Sequence, residues 1–307
     1  MRILITGGAG FIGSHLAAYW CGEGASVVVL DNLRTGKETN LAGLPVEFVK
    51  ADIRDKEALR RCLKGVDLAF HLAAMVSVPE SVEQPEACVL DNVIGTLNVL
   101  EAAVACGTRV IFASSAAIYG DNPEVPKVET MFPEPKSPYA VTKLDGEHYL
   151  DCYRIQHGLS CAGLRFFNVF GPGQNPSGPY ASAVPVFIDR ALRSEPLTIF
   201  GDGSQTRDFI FVKDIVAALS FLGRRREVHG IYNAGYGVST RIDTLAAQII
   251  ALTGSLSEVR HEAERAGDVK HSYACADKLM GLGWKPEWEF SAALEVTVAD
   301  YRKHSTG

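Results

Sequence analysis

Short apolar runs alternate with longer amphipathic stretches through the first half of the chain. Runs near residues 2–6, 26–30, 46–50, 67–72, 109–114 and 160–166 predict strands, and some, such as Val27-Val28-Val29-Leu30, are apolar at every position, as in strands covered on both faces. Between them, apolar residues recurring every three or four positions predict helices near 11–22, 55–64, 82–106 and 137–157. Strand and helix in alternation imply an α/β class fold, a doubly wound parallel sheet with helices on both faces. After Gly171-Pro172-Gly173 the elements shorten and the connections become rich in Pro and Gly, so a second, smaller domain is expected to begin there.

The first strand runs straight into Gly7-Gly8-Ala9-Gly10-Phe11-Ile12-Gly13. Glycines at 7, 10 and 13 suit a tight turn, close approach of backbone to a pyrophosphate, and close packing of the next helix on the sheet. The free N–H groups of that helix then face the phosphates. A glycine triplet can also be an ordinary turn; its place between a buried strand and an amphipathic helix favours a dinucleotide. Asp31 closes the second strand about 20 residues on, where a carboxylate binds a ribose 2′-hydroxyl and repels a 2′-phosphate, so NAD is expected rather than NADP. Two counter-readings stand beside this: Asp31 starts a turn, and Arg34 attracts a phosphate.

In such sheets ligands bind beyond the carboxyl ends of the strands. Asp52 and Ile53 follow the third strand, His71-Leu72-Ala73-Ala74 the fourth, and Ala113-Ser114-Ser115 the fifth. Asp52 could accept from an adenine amino group or cap the helix starting near Arg54. His71 reads as a hydrogen-bonded structural histidine, and the small residues 73 and 74 admit a dinucleotide backbone. Tyr139 and Lys143 stand one helical turn apart on one face. A lysine in that place is expected to lower the phenol from its ordinary value of about 10, making it a general base with Ser115 as its partner. Chance alone supplies such a Tyr-Lys spacing often, so its weight comes from the glycine loop.

Composition narrows little further. With 307 residues, 47% apolar, the chain can bury a large core, and a net charge of −6 argues against a nucleic-acid partner. Seven cysteines, odd in number and without a Cys-x-x-Cys, read as reduced and mostly buried thiols. No histidine spacing suggests a metal, and no leader or apolar run approaching 18 residues is seen, so a cytoplasmic protein with no membrane partner is expected.

Taken together, the glycine loop, Asp31, His71-Leu72-Ala73-Ala74, Ser114-Ser115-Ala116-Ala117-Ile118-Tyr119-Gly120, Tyr139-x-x-x-Lys143 and Arg165-Phe166-Phe167-Asn168-Val169-Phe170-Gly171-Pro172 resemble the extended short-chain dehydrogenase/reductase superfamily, specifically its nucleotide-sugar epimerases. The resemblance continues through Phe200 to Phe209, Arg265-Ala266-Gly267-Asp268 and Leu282-Gly283-Trp284, and so covers essentially the whole chain. It implies a Rossmann NAD-binding domain over 1–172 with a return segment near 205–236, and a mainly UDP-sugar-binding domain over 173–307. Ser115, Tyr139 and Lys143 resemble the catalytic triad, with Lys143 also on the nicotinamide ribose.

By the same resemblance Gly7, Gly10, Phe11, Ile12, Gly13, Asp31, Asn32, Gly36, Asp52, Ile53, Leu72, Ala73, Ala74, Asn92, Ala113, Tyr139, Lys143 and Phe166 would line the NAD site. Asn168 and Arg207 would sit at the substrate phosphates, Arg265 at the diphosphate, Asp268 at the uridine ribose, and Thr198 to Phe200 along uracil; Ser77, Ser115, Ala183, Val184 and Ser272 complete the expected substrate contacts. Arginine forks suit a diphosphate dianion.

The implied reaction is NAD-dependent 4-epimerisation of a UDP-hexose through a 4-keto intermediate. Ala116 and Ala117 stand where related 4,6-dehydratases carry Asp-Glu, which disfavours dehydration. Ser272 stands where glucose-restricted epimerases have a tyrosine; this, with Val269-Lys270-His271-Ser272 and Asn175 to Tyr180, resembles the UDP-N-acetylglucosamine 4-epimerase group. Both UDP-GlcNAc/UDP-GalNAc and UDP-Glc/UDP-Gal interconversion are expected. The alternatives are a uronate-handling epimerase or decarboxylase, against which Val76 offers no cation, and a non-catalytic NAD-sensing module. A homodimer through helices near 92–106 and 137–157 is a further implication.

Overall fold

The computed structural model describes residues 1–177, 181–264 and 269–305; Arg265, Asp268 and Tyr180 lie outside them. In chain order the main elements are β1 (Arg2–Thr6), α1 (Phe11–Gly22), β2 (Ser26–Asp31), β3 (Val46–Lys50), α2 (Lys56–Leu63), β4 (Leu68–His71), α3 (Val78–Glu83), α4 (Pro85–Val89), a π-turn (Leu90–Ile94), α5 (Gly95–Cys106), β5 (Arg109–Ser115), α6 (Pro138–His157) and β6 (Cys161–Phe166). They continue with β7 (Asn168–Phe170), α7 (Ala183–Leu192), β8 (Leu197–Phe200), β9 (Thr206–Arg207), β10 (Phe209–Phe211), α8 (Val212–Gly223), β11 (Gly230–Ala234), β12 (Thr240–Arg241), α9 (Ile242–Thr253), β13 (Val259–Glu262), β14 (His271–Ser272), α10 (Asp277–Met280) and α11 (Phe290–Ser305).

Seven strands form one sheet in the order β11-β6-β5-β4-β1-β2-β3, and the pairings from β6 through β3 are parallel. The order reverses between β1 and β4, the switch point at which such sheets take up ligands beyond their carboxyl ends. Register sets Thr6 between His71 and Leu30, so the glycine loop, the His71 segment and the end of β2 emerge together. Strands β1, β2, β4, β5 and β6 are buried almost throughout, while edge strand β3 is partly exposed; Leu4, Val28, Leu30, Ala69, Val110 and Phe112 pack with Leu59, Val99, Leu100 and Leu150 from the helices.

The expected helix over 82–106 is instead four pieces. Pro85 lacks an N–H and restricts Gln84, so α3 ends and α4 restarts there, and the π-turn interrupts the run before α5. The helical run Pro85–Cys106 does reach the length and apolarity of a membrane span, which uninterrupted apolar runs do not reveal, but 56% of its most apolar window is buried inside the protein, as in a core helix. α6 starts at Ser137, whose hydroxyl accepts from the Ala140 N–H, with Pro138 at the first helical position, and ends at Gly158 in the left-handed conformation.

The chain divides into two compact units. One comprises Met1–Gly120, Pro133–Phe166 and Ile215–Tyr232; the other comprises Asp121–Phe132, Phe167–Asp214 and Asn233–Gly307. This differs from a cut at 172 because strand β7 pairs with β10 and because residues 121–132 are stitched by backbone to the C-terminal part: the Lys127 N–H donates to Tyr273 O, the Cys275 N–H to Lys127 O, and the Asn233 N–H to the Glu129 carboxylate. The second unit is built on the pair β7–β10, the pair β8–β13 and the ribbon β12-β9-β14, with Phe170, Phe209, Phe211, Trp288 and Phe290 clustered at its core.

Candidate active site

Glycine 7 carries φ of +71°, and a Cβ there would lie 2.7 Å from the Ala73 nitrogen; a Cβ on Gly13 would lie 2.6 Å from the Gly8 Cα and closer still to the Gly7 carbonyl. Any side chain at either place collides with backbone, so only glycine permits the turn and lets α1 start against it. α1 has Gly10 at its N-cap and no side-chain cap there. The N–H groups of Phe11, Ile12 and Gly13 lack intrahelical partners by helix geometry, and no capping side chain meets them, which suits a pyrophosphate.

Asp31 is buried and does more than either expectation. Its Oδ2 accepts from the Ala9 N–H at 3.0 Å and its Oδ1 from the Leu33 N–H at 2.8 Å, so one carboxylate ties β2 to the glycine loop and also makes the turn. Gly36 is required beside it, since a Cβ would come within 2.9 Å of Ala9. An ionised carboxylate has about four acceptor sites, so it retains capacity for a ribose hydroxyl. Asn32 donates to Asp52 at 3.0 Å. Asp52 neither caps α2, which Asp55 does, nor is left open: Arg54 grips both its oxygens, and that hydrogen bond holds the carboxyl down at about 2. Ile53 is buried against the Gly95 position.

His71 is buried with both nitrogens engaged, Nδ1 to Thr6 Oγ1 at 2.7 Å and Nε2 to Thr96 Oγ1 at 2.9 Å. Because Thr96 donates its hydroxyl to the Asn92 carbonyl, Nε2 must be the donor and Nδ1 the acceptor. Burial first, then the Lys143 charge, push its pKa down to about 3. Thr6 in turn accepts from the Ala73 N–H, fixing the segment that carries Leu72, Ala73 and Ala74. Asn92 turns its amide inward: it accepts from the Met75 N–H and donates to Met75 O and to Thr142. It thereby clamps the loop after β4, and it sits in the π-turn, a distortion that often marks functional sites. Ser77 caps α3 by accepting from the Glu80 N–H.

Ser115 lies close enough to the Tyr139 hydroxyl to favour its ionised form, and Ser115 Oγ accepts from the Ala117 N–H at 3.1 Å. Lys143 is buried one turn on, donates to the Ala113 carbonyl at 2.9 Å, and lies 5.8 Å from the centre of the Tyr139 ring. The expected acidification is corrected here. Burial pushes the Tyr139 phenol above its ordinary value, Ser115 pulling the other way, while burial brings Lys143 down to about 8. Desolvation penalises phenolate and ammonium alike.

Several supporting residues carry no sequence signature of their own. Ser81 accepts from the Tyr139 N–H at 3.1 Å, and Thr142 donates to the Tyr139 carbonyl at 2.8 Å. One turn beyond Lys143, buried Glu147 accepts from Ser114 Oγ at 2.5 Å and pairs with Arg165 through both oxygens, at 2.9 and 2.7 Å; Arg165 also donates to the Tyr119 hydroxyl. Burial opposes the Arg165 charge, but the Glu147 bonds overcome it and raise its pKa. The i, i+4, i+8 succession Tyr139, Lys143, Glu147 was the available signal. Phe166 ends β6 opposite Ser115.

In the second unit, Asn168 Nδ2 donates to the Asp208 carbonyl at 3.2 Å, and Arg207 stands in register with Ser272 across β9 and β14. Between them, buried Asp208 accepts from the N–H groups of Tyr236, Gly237 and Ala274, and burial raises it to about 6 despite those bonds. Thr198 Oγ1 accepts from Arg190, while Phe200 pairs with Glu262 along the β8–β13 ladder. Ala183 begins α7, and Val184 is packed inside the unit, leaving its backbone for any ligand. Arg265 and Asp268 fall outside the described residues. All seven cysteines are free; Cys62, Cys88 and Cys161 are buried, and Cys106 and Cys152 are exposed, so most are not buried as expected. Among the described residues no group of His, Cys, Asp and Glu could hold a metal.

Residues 3–235 match the NAD-dependent epimerase/dehydratase family. A protein of Methanocaldococcus jannaschii called a putative UDP-glucose 4-epimerase is 39% identical over 96% of this chain and 97% of its own. The UDP-N-acetylglucosamine 4-epimerase of Methanobrevibacter ruminantium, solved with UDP-N-acetylmuramic acid, superimposes with a TM-score of 0.95 at 37% identity, covering 99% of this chain and 98% of that one. The UDP-glucose 4-epimerase of Thermus thermophilus, solved with NAD, gives 0.92 at 38% identity over 98% and 99%. With a glycine loop that only glycine can build, a Ser-Tyr-Lys group at the end of the same sheet and this likeness over the whole length, the chain belongs to the NAD-dependent epimerase/dehydratase family.

Proposed function

We propose that this protein is an NAD-dependent isomerase that inverts C4 of UDP-hexoses, UDP-GlcNAc/UDP-GalNAc and UDP-Glc/UDP-Gal alike. The observation that carries this is the buried Tyr139 with Ser115 beside it and Lys143 one turn away, in the unit that also holds the glycine loop. When bound, oxidised NAD would supply the hydride acceptor. The free N–H groups of α1 hold its pyrophosphate, Asp31 a ribose hydroxyl, and Lys143 the nicotinamide ribose. Tyr139 takes the proton of the sugar 4-hydroxyl, with Ser115 as its hydrogen-bond partner, and returns it after the keto-sugar has turned over. Asn168, Arg207, Arg265 and Asp268 hold the UDP, so most binding free energy falls on the part that does not react.

Ala116 and Ala117, which cannot transfer a proton, favour epimerisation over dehydration, and Ser272 leaves room for a 2-acetamido group. Incubation with UDP-GlcNAc, UDP-Glc and UDP-glucuronate, with products resolved by chromatography, tests the reading: turnover of the first two supports it, and turnover of the uronate alone refutes it. The same reading carries residence in the cytoplasm and a homodimer through α5 and α6, supported by exposed Val89, Leu90, Ile94, Val141 and Ile155 on and beside these helices. Analytical ultracentrifugation at micromolar concentration checks the dimer.

A further inference from the structure

Arg34 lies three residues beyond Asp31, at the carboxyl end of β2, where a guanidinium is placed to meet a 2′-phosphate. It is engaged elsewhere. One terminal nitrogen reaches Glu80 of α3 at 2.7 Å, and the other reaches Asp91 of the π-turn at 2.7 Å. Its own N–H donates to the Asn32 side chain at 3.0 Å, which fixes the loop from which it extends. Asp91, the most buried of the three ionic side chains, is approached from its other side by Arg54 at 3.5 Å, and Arg54 in turn holds Asp52. The chain Asp52-Arg54-Asp91-Arg34-Glu80 therefore joins the loops after β2 and β3 to the segment after β4, on opposite sides of the switch point of the sheet.

We infer that Glu80 and Asp91 determine cofactor choice: by holding Arg34 between them they withhold a cation placed to pair with the 2′-phosphate of NADP, and so reinforce the exclusion by Asp31. This deepens the proposed function and rests on its placement of NAD at the glycine loop. Surface ion pairs are individually weak. Two carboxylates on one fork, with Asp91 further fixed by Arg54, nevertheless make a geometry that Arg34 must abandon completely to bind a phosphate bidentately. Two neighbouring carboxylates would also repel the phosphate directly, so the experiment must separate release of Arg34 from removal of charge.

The test measures binding of NAD and NADP to cofactor-stripped protein by calorimetry for the wild type, Glu80→Gln, Glu80→Gln/Asp91→Asn, and that double variant carrying Arg34→Met. Expected are a wild type that prefers NAD, a gain in NADP relative to NAD of at least about tenfold in the double variant, a smaller gain in Glu80→Gln, and loss of most of the gain when Arg34 is also replaced. An unchanged NAD to NADP ratio in both Glu80→Gln and the double variant overturns the inference, as does a gain that survives Arg34→Met. Glu80 is partly exposed, so its single variant keeps the question open to test if the double variant folds poorly. Wild-type protein that binds neither dinucleotide would instead refute the placement of NAD itself.

Discussion

Replacing Glu147 by Ala removes the counter-charge of buried Arg165 beside Ser114. The Glu147 and Arg165 side chains are 5% and 6% exposed, and the carboxylate accepts from Ser114 and twice from Arg165. Its removal takes the Glu147 carboxylate away from a buried guanidinium that keeps the Tyr119 hydroxyl at 2.8 Å. Breaking one side of a buried ion pair costs about 3–5 kcal/mol, mostly the desolvation of the remaining charge. For a body of this size that lowers the melting temperature by roughly 6–20 °C. Replacing both partners with apolar residues, Glu147→Leu/Arg165→Met, removes the stranded charge and should recover most of the loss. Urea unfolding followed by tryptophan fluorescence gives the cost of Glu147→Ala, and Glu147→Leu, Arg165→Met and their double variant form the cycle that supplies the coupling energy. A cost below about 1 kcal/mol for Glu147→Ala, or a double variant no more stable than the singles, would refute the reasoning.

Further outcomes follow from the same geometry. Gly13→Ala sets a methyl group against the backbone of Gly7 and Gly8, neither of which can give way, and should cost about 1–3 kcal/mol of stability and at least about tenfold in NAD affinity, read by calorimetry. His71, held neutral with its pKa at about 3, gives a pH dependence of definite sign. Between about 3 and its ordinary value of about 6.5 the unfolded chain binds a proton that the folded chain refuses, so this stability is present at neutral pH and is lost as acid is added. Denaturation between about pH 4 and 6 should show a slope steeper in the wild type than in His71→Gln by up to about 1.4 kcal/mol per pH unit; equal slopes would dismiss it. Ser272→Tyr should suppress turnover of UDP-GlcNAc far more than that of UDP-Glc, as read in competition assays, whereas equal losses would place Ser272 away from the 2-acetamido group.

What was legible in the sequence was whatever a local pattern dictates. Apolar runs gave the strands, and the glycine spacing gave a turn whose crowding by Ala73 and Gly8 leaves no room for a Cβ. Interactions between distant segments were not legible. Residues 121–132 lie between Ser115 and Tyr139 in sequence but take their backbone partners from 273–275 and 233, which no periodicity announces. The resemblance names Asn92 as a cofactor contact, and the end of β3 offers Asp52 either to adenine or to a helix cap, but neither reading foresees that their side chains are held by Met75 and Thr142 and by Arg54. The acid-strengthening of Tyr139 by Lys143 was inferred from charge alone, and the burial that reverses it appears only when α6 is packed on β5. The helix 82–106 was read as continuous although Pro85 within it forecast the break.

The most direct test of the central claim watches the nicotinamide while the sugar reacts. Protein loaded with NAD is mixed rapidly with UDP-glucose, and the absorbance of reduced nicotinamide is followed alongside the appearance of the C4 epimer. Wild type should show transient reduction with no net consumption of NAD at equilibrium, and Tyr139→Phe should retain UDP-sugar binding while losing turnover by ~10²-fold or more. Epimer formed without any reduced nicotinamide, or undiminished turnover in Tyr139→Phe, would contradict hydride transfer assisted by this phenol.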